Sequence, residues 1–399
     1  MASATEPTVK LPGRLASIDA YRGFIMMLMT AEVLEFSRVA KALPASGFWR
    51  FLARHQSHSS WVGCSLHDMI QPSFSFIVGV ALPFSLARRA ADGQPQWQRT
   101  SHAFCRALCL IFLGVFLRSI GRSQTYWTFE DTLTQIGLGY GFLYLLGLRS
   151  VRVQWAALAT ILAGYWLAFA LYPLPGAAFD WSRAGVKPGW PNNLTGFAAH
   201  WNLNTNLAWA FDTWFLNLFP REHPFANNEG GYSTLSFIPT LGTMILGLIA
   251  GGVLRSDRQP LPKVRWLAMA GVACLAAGWA LGAAGVCPVV KRIWTPGWTI
   301  YSGGWCFLLL AGFSLIVEAW GYRRWAFPLV VVGMNSIAIY CMSWLIEGFV
   351  KESLRTHLGP AVFEVAGPEF ESILLGAAVM LIFWLILYWM YRRKLFLKV

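Results

Sequence analysis

Apolar runs of about 18 to 25 residues recur along the whole chain. Each is long enough to cross the ~30 Å hydrocarbon layer of a bilayer as a helix. No other feature constrains the fold as strongly, because backbone in hydrocarbon must satisfy its own hydrogen bonds. Of the 399 residues, 56% are hydrophobic and 13% charged, whereas soluble domains are about a quarter charged. The expected fold class is all-α: a polytopic membrane helix bundle of about ten transmembrane helices with cytoplasmic N- and C-termini. The expected spans are 18–39, 66–87, 102–120, 131–148, 154–172, 233–254, 264–285, 299–319, 326–347 and 370–391.

Charge sets the expected orientation. The net charge of +13 is carried in tight clusters between spans: Lys10/Arg14, Arg88/Arg89/Arg99, Arg149/Arg152, Arg255/Arg258/Lys263/Arg265, Arg323/Arg324 and Arg392/Arg393/Lys394/Lys398. They fall in every second inter-span segment, as positive cytoplasmic loops do, so no nucleic-acid partner is expected. Residues 1–17 read as a cytoplasmic segment, 18–391 as one transmembrane domain and 392–399 as a basic cytoplasmic tail. The first apolar run is too long for a signal-peptide core and no small-residue cleavage site follows, so a retained first helix is expected. The seven cysteines form no CxxC and lie mostly within spans, where they read as small core residues. A multi-pass protein of a bacterial-type inner membrane is the expected setting, with the lipid bilayer as first partner and a homodimer as the assembly to test.

On the side opposite the basic clusters lies a large loop, about 173–232, rich in Trp, Pro, Asn and Gly. Such a loop suits carbohydrate, with rings stacking on sugar faces and amides bonding hydroxyls. It reads equally as an interfacial aromatic belt.

Titratable groups at span mouths are functional candidates. The segment from His58 to Gly79 passes from polar loop to apolar span and places His58, Trp61 and Asp68 at that boundary. Trp61 is read as an interfacial wall, Gly63 as allowing close backbone approach, and Asp68 as orienting an imidazole or binding an amine. Glu32, near the far end of the first span, costs about 2.5–3.5 kcal/mol to insert and should face a cavity or partner. Asp19 and Arg22 share a helix face; they read as a snorkelling ion pair or as an anchor for an anion. Glu130-Asp131 reads as a helix cap, and Glu229 as a cap or a polar-ligand contact. Lys291 and Arg292 break the charge pattern, reading as an anion site or as partners for acids of the large loop. Asn335 lies within a span and needs a hydrogen-bond partner. Neither a Ser-His-Asp pattern nor a metal spacing such as HExxH occurs, so no metal is expected.

These segments together resemble the heparan-α-glucosaminide N-acetyltransferase family, including shorter bacterial relatives. The pattern runs Arg14-Leu-Ala-Ser17-Ile-Asp19-Ala-Tyr-Arg22-Gly23, then His58-x-x-Trp61-x-Gly63-x-x-x-x-Asp68-x-x-x-Pro72-x-Phe74-x-Phe76-x-x-Gly79. Leu133-x-Gln135-Ile136-Gly137-Leu138, Glu229-Gly230, Lys291-x-x-Trp294-Thr295-Pro296, Gly303-Gly304-Trp305 and Gly333-Met334-Asn335 follow in order. The resemblance implies an integral acyltransferase taking acetyl from cytoplasmic acetyl-CoA, its co-substrate, to an amino-sugar amine on the outer side. It makes His58 the catalytic residue, as acyl carrier or general base. Beside it, the reading of the residues takes Glu32, Asp68, Glu229 and Trp61 as candidates for acceptor or proton handling, and Arg22, Gln135, Lys291 and Asn335 as candidates for acyl-donor binding. Three departures stand out: the asparagine that eukaryotic members carry near the end of the first span falls at Val33, beside Glu32; the loop from there to His58 is longer; and the family's Leu-Gln-Arg-Ile block reads Leu133-Thr134-Gln135-Ile136. The competing reading is a transporter of amino sugars or cell-wall fragments, with Asp19, Glu32, Asp68 and Glu347 serving coupling or binding.

Overall fold

The structure, a computed structural model, describes residues 15–187 and 189–397. Lys10, Arg14 and Lys398 of the basic clusters, and most of the 1–17 segment, lie outside the described residues. The chain runs α1 (Ala16–Thr30), α2 (Phe36–Ala42), α3 (Gly47–His55), α4 (Ile70–Ala91), α5 (Gln96–Arg118), α6 (Thr132–Gly147), α7 (Val151–Leu171) and α8 (Trp181–Ala184). It continues through α9 (Leu207–Phe215), α10 (Phe237–Arg255), α11 (Pro260–Ala283), α12 (Pro296–Ser314), α13 (Phe327–Met334), α14 (Ser336–Leu345), α15 (Glu347–Leu358) and α16 (Glu371–Arg392). Among the described residues the only β pairing is an isolated antiparallel bridge between Val62 and Val290.

Among the described residues seven helices are long and apolar enough to cross a membrane, and eight if α13 and α14, bent by 64° at Asn335, count as one broken span. These correspond to eight of the ten expected spans and support a multi-pass membrane protein. The other two expected spans are shorter helices. α6 has 16 residues. The run 18–39 is not continuous: α1 stops after 15 residues, a 3₁₀ turn over Ala31–Leu34 follows, and Glu35 turns the chain at φ +49° before α2 restarts. Glu32 and Glu35 lie at that break; their carboxylates prefer a wet mouth to continued passage through hydrocarbon.

α10 is the axis of the bundle, with 78% of its span buried inside the protein. Helix α4 packs along it, α6, α7 and α12 surround the pair, and α1 lies against α13. Without a hydrophobic force between helices in lipid, close backbone approach supplies the packing energy. The α4–α10 contact has it: a Cβ on Gly79 would run into the Met244 carbonyl, and one on Gly247 into the Phe76 carbonyl. Gly79→Ala is therefore expected to force the helices apart and cost about 1–3 kcal/mol, read as a lower unfolding temperature in detergent; an unchanged value would refute this packing.

A second apolar cluster underlies the large loop. Trp61, Trp201, Tyr165, Phe169 and Ile293 are buried together, and Trp61 Nε1 donates to the Trp201 carbonyl at 3.0 Å. The loop's amides hold its own backbone: Asn204 Nδ2 donates to the carbonyls of Ala184 and Asn228, and Asn206 Nδ2 to that of Asn202. These side chains are committed to the loop's own fold. Trp61 is a buried anchor rather than an interfacial wall.

Candidate functional site

The segment between α3 and α4 is built around one buried carboxylate. Asp68 sits on a 3₁₀ turn, His67–Met69, at the head of α4, where the helix dipole favours an anion. It is 1% exposed. Its Oδ2 accepts from the backbone N–H groups of Ser59 and Ser65, at 3.1 and 3.0 Å, and from the Ser59 hydroxyl at 2.9 Å. Its Oδ1 lies 2.8 Å from His58 Nδ1. A buried carboxylate wrapped by donors in this way is an orienting group for the imidazole it holds.

Gly63 makes the turn between His58 and Asp68, with φ +124°. A Cβ there would meet only Ser59, at 3.7 Å, so backbone conformation rather than close approach requires the glycine. The Gly63 N–H donates to the Val289 carbonyl at 3.0 Å. With the Val62–Val290 bridge, this stitches the segment to the turn before α12. Lys291 is thereby delivered to the same carboxylate: Nζ lies 3.3 Å from Asp68 Oδ1 and 3.0 Å from His58 Nδ1. Arg292 is fixed by backbone carbonyls, donating to Gly230 at 2.8 Å, and lies over the Tyr232 ring.

Burial lowers the pKa of His58, and the Lys291 ammonium lowers it further, against the opposing pull of the Asp68 hydrogen bond. Lys291 is itself lowered, chiefly by burial, with Asp68 opposing. The imidazole therefore stays neutral at pH 7. Asp68 Oδ1 and Lys291 Nζ both lie against Nδ1; the tautomer that donates Nδ1–H to Asp68 leaves Nε2 with a free lone pair.

His58 opens into a cavity of about 730 Å³ on the face bearing the large loop. Glu32, Glu35, Glu130, Asp131, Glu347, Lys291 and Lys351 also line it. Here Asp131 rather than Glu130 caps α6, accepting from the Leu133 N–H at 2.8 Å. Glu130 instead accepts from Asn228 Nδ2 at 3.2 Å. Burial pushes the Glu130 carboxyl up.

A second cavity, of about 490 Å³, opens on the opposite face and is lined by Arg22, Arg88, Arg89, His102 and Arg106. The two cavities lie end to end. On α4, Ile70 and Gln71 line the first and Phe74 and Ile77 the second; on α14, Tyr340 and Ser343 line the first and Ser336 and Ile337 the second. Those positions share helix faces, and one turn, about 5 Å, separates the two sets.

His58, Glu32 and Lys291 thus share one cavity, with Asp68 behind the histidine, while Arg22 lines the other. His58 and the basic clusters therefore face two separate cavities rather than one continuous one. Glu229 is exposed, while its neighbours Asn228 and Gly230 line the loop-side cavity. Gln135 is fully buried and donates to the carbonyls of Phe129, Ser233 and Thr234. Asn335, also fully buried, bonds the carbonyl of Leu395 and the N–H of Leu397. Both amide N–H groups are taken up by backbone carbonyls, while the buried Gln135 Oε1 has no partner among the described residues. The sequence reading passed over His67, which lines the loop-side cavity with Nε2 2.9 Å from Glu32 Oε1. The available signal was a second histidine at the same span mouth as Asp68.

No protein-family model matches the chain. It is 22% identical over 439 aligned positions to the heparan-alpha-glucosaminide N-acetyltransferase of Homo sapiens, covering 98% of this chain and 60% of that protein. To the mouse (Mus musculus) protein of the same name it is 21% identical, covering 97% and 60% respectively. The chain thus spans about 60% of the length of these curated relatives. Likeness over nearly the whole chain supports a family-level relationship.

Proposed function

We propose that this protein is a transmembrane acyltransferase that moves acetyl from acetyl-CoA on the basic side to an amino-sugar amine on the loop side. The observation that carries this reading is the alignment of the two cavities, with a neutral, acid-oriented histidine in one and a cluster of guanidinium groups in the other. The likeness to N-acetyltransferases supports it independently. In this orientation the termini and basic cavity are cytoplasmic and His58 faces outward, as the charge clusters favour.

Arg22, Arg88, Arg89 and Arg106 suit the phosphates of the donor, because guanidinium groups bind phosphate through charge-assisted, often paired hydrogen bonds. The apolar wall of Phe74 and Ile77 suits its acyl-bearing arm. In the loop-side cavity, Glu32, Glu35 and Glu347 suit an ammonium-bearing acceptor. His58 Nε2 can attack the thioester carbonyl, forming an acyl-imidazole as the C–S bond breaks. Alternatively it can take a proton from the amine as that amine attacks. Release of CoA before any acceptor is added distinguishes the first course.

Labelled acetyl-CoA and glucosamine supplied to the purified protein test the proposal. Acetylated product that depends on His58 is expected. Absence of product and of CoA release would overturn it. The paired substitution Arg89→Gln/Arg106→Gln is expected to raise KM for acetyl-CoA about tenfold, the loss of about 1.4 kcal/mol of charged contact, with kcat little changed. A KM within twofold of wild type would remove the donor from this cavity.

One observation favours a second reading. The α13–α14 helix is broken and bent by 64°, a device that transporters use at substrate sites. Uptake of unmodified sugar into proteoliposomes, without acetylation, would select that reading.

A further inference from the structure

A second carboxylate–histidine pair stands beside the first. His67 holds Nε2 2.9 Å from Glu32 Oε1, and its ring centroid lies 4.5 Å from that of His58. The two pairs present opposite ends to the cavity. Asp68 is 1% exposed behind a His58 side chain that is 36% exposed; Glu32 is 58% exposed in front of a His67 side chain that is 8% exposed. Neither half of the second pair is needed to hold the first, because the serine N–H groups and Lys291 already satisfy Asp68. A carboxylate left open at a membrane mouth, with a titratable ring behind it, can both attract a cation and take its proton.

We infer that Glu32 and His67 form the base that deprotonates the acceptor ammonium, leaving His58 free to carry the acyl group. The inference rests on the acyltransferase reading and deepens it by dividing two tasks between two histidines. Once His58 holds an acyl group on Nε2 and donates Nδ1–H to Asp68, its ring has no lone pair left to accept a proton. An ammonium cannot attack a carbonyl, so another base has to act first.

The acceptor ammonium pairs with the Glu32 carboxylate and gives a proton to the Glu32–His67 pair. The amine lone pair then attacks the carbonyl carbon; the C–N bond forms and the bond from that carbon to His58 Nε2 breaks, returning the neutral ring. Two N–H protons leave the ammonium: the Glu32–His67 pair takes the first before attack and passes it to water in the cavity, and the attacking nitrogen sheds the second to the same water as the bond to His58 Nε2 breaks. The CoA thiolate, released in the earlier half-reaction, takes its proton from water on its own side.

The test uses the full chain with two acceptors, glucosamine, which is an ammonium ion near neutral pH, and hydroxylamine, which is largely unprotonated there. With glucosamine at pH 7, His67→Gln is expected to transfer acetyl about 100-fold more slowly than wild type. That deficit should shrink as pH rises and the amine loses its proton unaided. With hydroxylamine the deficit should be at least about tenfold smaller. Glu35, Glu347, Lys291 and Lys351 share the cavity and His58 lies against the pair, so the readout is the difference between variant and wild type at each pH. Glu32→Gln, at a more exposed position, should repeat the pattern and serves if His67→Gln fails to fold. Equal losses with both acceptors, or no loss with either, would overturn the inference. Wild type that releases no CoA and acetylates neither acceptor would instead overturn the acyltransferase reading on which it rests.

Discussion

Replacing His58 by alanine is expected to reduce acetyl transfer from acetyl-CoA by at least about 10³-fold, whichever role the ring plays, because both the acyl-carrying lone pair and the proton acceptor disappear. Stability should scarcely change. The side chain is 36% exposed, and Asp68 keeps its serine donors and Lys291 without it. The comparison that isolates chemistry is therefore activity against melting temperature in the same detergent. The wild-type pH profile adds a second check. Because burial and the Lys291 cation lower the pKa of His58, its neutral form persists below the usual imidazole value of about 6.5. Release of CoA in the absence of acceptor, which reads the His58 step alone, should thus hold on the acid side of that value and fall as the ring finally protonates. A His58→Ala protein that is folded and still transfers acetyl would remove His58 from the reaction.

How much of this arrangement can be read from residues alone differs from part to part. Among the described residues seven expected spans recur as membrane-length helices and an eighth as the bent α13–α14 pair, because each is a continuous apolar run and hydrophobicity is additive along a sequence. The run 18–39 misleads, since its apolar average hides Glu32 and Glu35, where the helix ends and the chain turns. His58 and Asp68 are ten residues apart, close enough that a single tight turn at Gly63 unites them. Lys291 is different. It lies 233 residues from His58, and its position depends on the Val62–Val290 bridge, which no local pattern signals. Gln135 and Asn335 show another limit: a polar group inside a span suggests a ligand contact, yet their amide N–H groups also find partners in backbone carbonyls. Asn335 does this where α13 breaks from α14, tying that break to Leu395 and Leu397.

The Asp68–Lys291 pair lends itself to a test that separates holding the fold from orienting the imidazole. Asp68→Asn keeps the side-chain shape but removes the negative charge facing a lysine that is 6% exposed. Breaking a buried ion pair from one side typically costs about 3–5 kcal/mol, because the remaining charge is stranded. The variant should be the least stable of the single substitutions considered, read as a large drop in melting temperature. Adding Lys291→Met removes the stranded cation, and replacement of both ions by neutral or apolar groups is often close to neutral. The double variant should therefore recover most of the lost stability, and the deviation from additivity measures the coupling between the two ions. Activity should not recover with it. In both variants His58 Nδ1 loses the carboxylate that fixes its tautomer and would stabilise positive charge on the ring; loss of such a carboxylate from a histidine dyad costs about 10⁴-fold in the best-studied hydrolases. A double variant that regains both stability and acetyl transfer would mean that Asp68 serves only to neutralise Lys291. One that is stable and inactive would assign the carboxylate to the chemistry, since by then no stranded charge remains to account for the loss.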